Sequence, residues 1–240
     1  MSQHGDSGWR QSADAWVTDV RRGEEFSRRF VLDGPMLAHV RAGGFARALD
    51  VGCGEGRFCR MLRDEGVAAV GIDPTVALLA AARAADPAGD YREGRAEALP
   101  FAEASFDLVV SYLTLIDIPD AAAAIAEMAR VLAPGGTLLI ANLTSFNTAA
   151  AQPDGSTGRV GDKVVVGGYM DERAVWAAWR GIRVRNWHRP LSTYMRLLLG
   201  AGLVLTDFQE PEPSGGDPAR VARYREAPWF LLMAWRKRPA

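Results

Sequence analysis

The sequence has only two cysteines, Cys53 and Cys59, among its 240 residues. A disulfide framework for a chain of this size needs more, so stability must come from a hydrophobic core. Lysine is nearly absent, at positions 163 and 237 alone, and arginine carries the remaining positive charge. The 28 Lys+Arg balance 29 Asp+Glu, for a net charge of -1. That balance excludes a general electrostatic pull toward nucleic acid or an acidic membrane, so neither is expected as a partner. The three histidines and two cysteines show no ligand spacing, and no metal is expected. No apolar run reaches the roughly 18 residues of a membrane helix. Residues 1–6 are polar, without a signal-peptide pattern, and a cytoplasmic location is expected. Internal repeats and low-complexity tracts are missing as well.

What is present is an ordinary globular composition, 48% hydrophobic and 24% charged. Residues 12–42 read as helical, with Trp16 and Val20, then Phe26 and Phe30, at helical spacing. Asp33-Gly34-Pro35 interrupts that pattern, and Pro35 can open a second helix. From 46 to 143 strand and helix alternate, and the strands are continuous apolar runs. Such runs are buried on both faces, which predicts a parallel sheet with helices on both sides. Residues 144–190 break the rhythm with a turn at 152–155 and with Trp176, Trp179 and Trp187; the first two are placed on one helix. A helix at 191–199 and strands at 204–208 and 229–235 follow. A long Pro/Gly loop between these strands points to an antiparallel hairpin at the sheet edge.

The strongest chemical signal is Leu49-Asp50-Val51-Gly52-Cys53-Gly54-Glu55-Gly56-Arg57-Phe58. A buried strand runs into spaced glycines and straight into a helix. Glycine lets the chain turn tightly and lets a ligand approach where a Cβ would clash. The helix start adds free N–H groups. Asp73 ends the next strand, 21 residues after Gly52, where a carboxylate in a doubly wound sheet meets ribose hydroxyls. A dinucleotide fold would want a third glycine at position 57, which is Arg. Asp50 would repel a pyrophosphate and suits a ligand carrying positive charge.

Five segments together resemble the class I S-adenosylmethionine-dependent methyltransferases, of the broad type 11, small-molecule group. They are Ala48–Arg57, Gly71-Ile72-Asp73-Pro74, Gly94–Phe101, Ser105–Tyr112 and Arg130–Gly136. The resemblance covers about residues 46–143. It implies an α/β Rossmann-like, doubly wound seven-stranded sheet in the order 3-2-1-4-5-7-6, the last strand antiparallel, with N-terminal helices and an inserted lid. One domain over 1–240 is expected, divided into a helical cap (1–44), a cofactor-binding core (45–145), a lid and substrate segment (146–190) and a C-terminal helix and hairpin (191–240).

The resemblance also implies S-adenosylmethionine as cofactor. Gly52, Cys53 and Gly54 would line its methionine part, with Asp50 near the ammonium. Asp73 would bind the ribose, and Pro74 or Thr75 would flank the adenine. Ala96 and Glu97 would meet the adenine edge, with Leu99 or Phe101 packing nearby. The Ser111 carbonyl would reach the methionine end. Trp16, in the cap, is assigned to cofactor or substrate contact.

Methyl transfer asks mainly for alignment, exclusion of water and, for some acceptors, proton removal. His188, in His-Arg-Pro-Leu-Ser-Thr-Tyr, is either that base or a hydrogen-bonded structural residue. Asp117, on the loop after the fourth strand, is the second candidate base, and Tyr169 a weaker third. The loop at Ser111-Tyr112-Leu113-Thr114 lacks the Asn/Asp-Pro-Pro-Tyr pattern of nucleobase and glutamine N-methyltransferases. The expected function is methyl transfer to O or N of a small aromatic metabolite, as the sole partner besides a homodimer mate. Carbon methylation or other chemistry on the same fold, and a non-catalytic binding role, stand as alternatives.

Overall fold

The computed structural model describes residues 7–23, 25–150, 159–160 and 163–239. The polar segment 1–6 and the expected turn at 152–155 lie outside them. The chain begins with α1 (Trp9–Arg22), a π-helical stretch (Ser27–Leu32) and α2 (Asp33–Gly43). β1 (Arg47–Val51), α3 (Arg57–Asp64), β2 (Ala68–Asp73), α4 (Val76–Ala85), β3 (Asp90–Glu93), β4 (Phe106–Tyr112), α5 (Ala121–Val131) and β5 (Leu132–Leu143) follow. After α6 (Ser145–Ala149) come two small antiparallel pairs. One joins β6 (Arg159–Val160) to β7 (Lys163–Val164), the other β8 (Arg173–Trp179) to β9 (Ile182–His188). The chain closes with α7 (Leu191–Gly200), β10 (Leu203–Gln209), α8 (Pro218–Glu226) and β11 (Phe230–Lys237).

Seven strands form one sheet in the order β10-β11-β5-β4-β1-β2-β3. β1 to β5 pair in parallel, while β11 runs antiparallel to both β5 and β10. Counted along this sheet the order is 3-2-1-4-5-7-6, as expected. The apolar strand runs explain the layering. Leu108 and Val110 of β4, with Leu139 and Ala141 of β5, face Leu32, Met36, Phe58 and Leu62 on one side. Val109, Leu138 and Ile140 face Ile125, Met128, Tyr194 and Leu198 on the other. Both faces are dry, so the free backbone of the sheet lies at its strand ends, and ligands bind outside the carboxyl ends.

Three local expectations give way. Asp33-Gly34-Pro35 does not interrupt the helical backbone, which passes from the π-helical stretch straight into α2; the second helix is present as expected, with Pro35 in its first turn, where its missing N–H costs nothing. The link between β10 and β11 contains α8, opened by the Asp217 side chain accepting the Arg220 N–H. Trp176 and Trp179 are on a strand, not a helix. The Arg180-Gly181 pair between β8 and β9 has positive φ at both positions, 43° and 82°. That is the geometry of a two-residue hairpin turn matched to strand twist, and it pairs Trp179 with Ile182.

Candidate active site

A cavity of about 1010 Å³ opens at the carboxyl ends of β1, β2 and β4. The glycine loop forms its floor. Gly52 and Gly54 have φ of 75° and 56°, in the left-handed region. A Cβ on Gly52 would run into the Thr114 side chain, whereas above Gly54 the nearest side-chain atom is Trp16 Nε1, 3.8 Å away. The N–H groups of Gly52 and Cys53 donate to the Ile72 carbonyl, which ties the loop to the end of β2. Asp73 completes that tie: its two oxygens accept the Gly54 and Thr75 N–H groups at 3.0 and 2.7 Å. Each oxygen keeps a further lone pair for a ligand. Burial raises the Asp73 pKa against these hydrogen bonds.

Asp50 stands behind the loop, 2% exposed, and accepts the Cys59 thiol at 3.4 Å. Burial pushes its pKa up to about 7. The Arg28 guanidinium acts on it electrostatically and in the same cavity lies 5.1 Å from the Trp16 ring centre and 4.8 Å from that of Tyr112. Arg28 also pairs with Glu25. Tyr112 is fixed in turn, its hydroxyl donating to Asp33, which Arg57 grips with two N–H groups. The cavity therefore presents a buried acid, Asp50, and a half-buried cation, Arg28, that are not bonded to each other.

α1 and β9 close the cavity. Ser12 of α1 donates to the Arg183 carbonyl and accepts its N–H at 3.0 and 2.9 Å, and Asp19 pairs with Arg180. This docking brings Trp9 and Trp16 to the cavity wall, edge to face at 5.3 Å. Asp117 lies on the turn after β4, its N–H bonded to the Thr114 carbonyl. Its carboxylate faces the cavity, accepting the Asn186 amide at 2.6 Å and the Trp9 indole N–H. Burial pushes its pKa up to about 7 against both bonds.

Most residues singled out from the sequence meet here. Trp16, Asp50, Gly52, Cys53, Gly54, Asp73, Pro74, Thr75, Ala96, Glu97 and Asp117 all line the cavity. Glu97 also accepts an Arg95 N–H at 2.8 Å. Ser111, His188, Tyr169, Leu99 and Phe101 do not line it. β4 continues through Tyr112, so Ser111 is still inside the ladder opposite Ile140 and fully buried; Leu113 and Thr114 take the edge. His188 is also fully buried and away from the cavity lining. Its Nε2–H donates to the Tyr169 carbonyl and its Nδ1 accepts the Thr148 hydroxyl, both at 2.8 Å. Burial lowers its pKa, so the ring is a neutral structural clamp between α6 and β9. Leu99 packs in the core and Phe101 meets Phe106 edge to face at 5.1 Å, both off the cavity. Arg28, Tyr112 and Asn186 were missed. In sequence Arg28 is one arginine among many, and only the π-helical stretch turns it inward.

Residues 49–140 match the family described as Methyltransferase domain. A malonyl-[acyl-carrier protein] O-methyltransferase of Enterobacter lignolyticus is 39% identical over 116 residues, 48% of this chain and 44% of the relative. A demethylmenaquinone methyltransferase of Renibacterium salmoninarum is 36% identical over 117 residues, 49% of this chain and 47% of its own. The chain thus spans about half the length of such curated relatives. Among solved structures, an S-adenosylmethionine-dependent methyltransferase from Mesorhizobium loti superposes with a TM-score of 0.71 at 29% identity, covering 85% of this chain and 96% of that one. The residues matched to the family include the glycine loop, Asp73 and Asp117; α1 and the β8–β9 pair lie outside them.

Proposed function

We propose that the protein transfers a methyl group from S-adenosylmethionine to O or N of a small, ring-bearing organic acceptor. The observation that carries this reading is that Asp50 and Arg28 stand beside the glycine loop without bonding to each other, Arg28 being shared with Glu25. An amino-acid end group is a zwitterion, and it needs an acid and a cation held apart from each other. Asp50 would take the ammonium and Arg28 the carboxylate, while the backbone around Gly52 and Gly54 admits the chain between them. Asp73 would accept the ribose hydroxyls side by side. Ala96 and Glu97 would stand at the base edge, with Pro74 and Thr75 flanking it. Bound there, the cofactor supplies a methyl on a sulfonium, already activated for transfer.

The remaining wall defines the acceptor end. Trp9, Trp16, Ile118 and Pro119 offer apolar and aromatic surface, which suits a planar body. Asp117 is the one carboxylate there that the cofactor does not engage, and it would accept the acceptor's proton. Its pKa of about 7 matches a base working near neutrality. The first test is calorimetric titration with S-adenosylhomocysteine. Micromolar binding that weakens in Arg28→Ala is expected. Absence of binding would remove the reading and leave a shared fold.

A further inference from the structure

The acceptor end has a polarity of its own. Among the described residues, the ionisable groups lining the cavity are mostly spoken for within the protein. Arg57 is held by Asp33, Arg28 by Glu25, Glu55 by Arg60 and Glu97 by Arg95. Asp50 and Asp73 are assigned to the cofactor. Asp117 is different: no ion pair joins it to a lysine or arginine among the described residues. It is held instead by two neutral donors, the Asn186 amide from β9 and the Trp9 indole from α1. Those donors orient the carboxylate without neutralising it, and aromatic and aliphatic walls stand around it. Among the charges that act on it, Asp73 deepens the negative field and Arg28, itself already paired with Glu25, opposes it. An oriented carboxylate in an apolar, aromatic-walled recess is the complement of a cation with an organic body.

We infer that the methyl acceptor is an amine, which enters as the ammonium ion and pairs with Asp117. The inference rests on the methyltransferase reading above. The ammonium gives one proton to Asp117, which becomes the neutral acid. The freed nitrogen lone pair forms the N–C bond as the methyl's C–S bond breaks, and that electron pair stays on sulfur. Asp117 returns its proton to water when the products leave. A hydroxyl acceptor would leave the field of Asp117 uncompensated on arrival, and a carboxylate would be repelled by it. Arg10 and Arg185 also line the cavity and would favour an acid, so an acidic probe belongs in the test.

The experiment uses the full chain saturated with S-adenosylhomocysteine. Phenethylamine, 2-phenylethanol and phenylacetate share one body and differ in the terminal group, and each is titrated calorimetrically. The amine is expected to bind at least about tenfold tighter than the alcohol, the factor one charge-assisted hydrogen bond supplies. In Asp117→Asn that preference should vanish while S-adenosylhomocysteine affinity holds. Asn186→Leu should reduce it, because the carboxylate then loses its orientation. Equal binding of amine and alcohol, tighter binding of the acid, no binding of any probe, or an unchanged preference in Asp117→Asn would each overturn the inference. If S-adenosylhomocysteine itself fails to bind, the methyltransferase reading falls and takes this one with it; if it binds and the amine preference is missing, only the amine falls.

Discussion

At the scale of single residues the two loop glycines separate stability from binding. Both have positive φ, so alanine at either costs roughly 1–2 kcal/mol of backbone strain. At Gly52 the new methyl also meets Thr114, whereas at Gly54 it enters space bounded by Trp16 at 3.8 Å. Gly52→Ala should therefore lower the denaturation midpoint well beyond Gly54→Ala. Gly54→Ala should keep its fold and lose S-adenosylhomocysteine binding; equal loss of stability in urea titration would show that the loop is not shaped around a ligand. Asp73 acts in both ways. Asp73→Ala leaves the Gly54 and Thr75 N–H groups without a partner and should weaken cofactor binding by roughly 1–3 kcal/mol. Calorimetry on Asp73→Asn, which keeps an acceptor oxygen, separates the loop's shape from the ribose contact.

At the scale of elements, His188 belongs to the join between α6 and β9. His188→Ala removes hydrogen bonds to Thr148 and Tyr169 and should destabilise by roughly 1–3 kcal/mol, with cofactor affinity unchanged in titration. Full thermal stability in that variant would return His188 to the list of bases. The same elements mark where sequence reading stops. From β1 to β5, buried runs, glycine turns and acids at strand ends all agree, so the parallel sheet, the glycine loop and Asp73 could be read from them, while the strand order and the places of Ala96 and Glu97 came from the family resemblance. Local and global preferences coincide there. At 173–179 alanine and tryptophan suit helix or strand, and the Arg180-Gly181 turn decides for strand. His188 and Ser111 had the right chemistry and the wrong depth, which depends on where a strand ends and what covers it. Arg28, Tyr112 and Asn186 carry no local signal, since each acts through a neighbour brought from far along the chain.

For the whole molecule, the acids in the cavity set a pH dependence. Asp50 and Asp117 have folded pKa values of about 7, raised by burial from the ordinary carboxylate range near 4. Between pH 4 and 7 the folded chain holds more protons than the unfolded one at these sites, so their contribution to stability falls as pH rises through 7. The free protein should melt lower at pH 8 than at pH 6. A ligand ammonium on Asp50 requires the ionised form, so S-adenosylhomocysteine affinity should fall below pH 7, by up to about tenfold per unit. Near pH 8, at about 100 times its dissociation constant, that ligand should add about 2.7 kcal/mol, a rise in melting temperature of roughly 5–10 °C. A flat pH profile in thermal shift would mean that Asp50 does not meet the ammonium. Three of the carboxylates that line the cavity have a last consequence, for turnover. A sulfonium cofactor carries one net positive charge, and the thioether left after methyl transfer carries none. Asp50, Asp73 and Asp117 thus attract the fresh cofactor more strongly than the spent one. On the proposed activity, their grip would slacken when the methyl departs, and the electrostatics that recruit the donor would also relieve product inhibition.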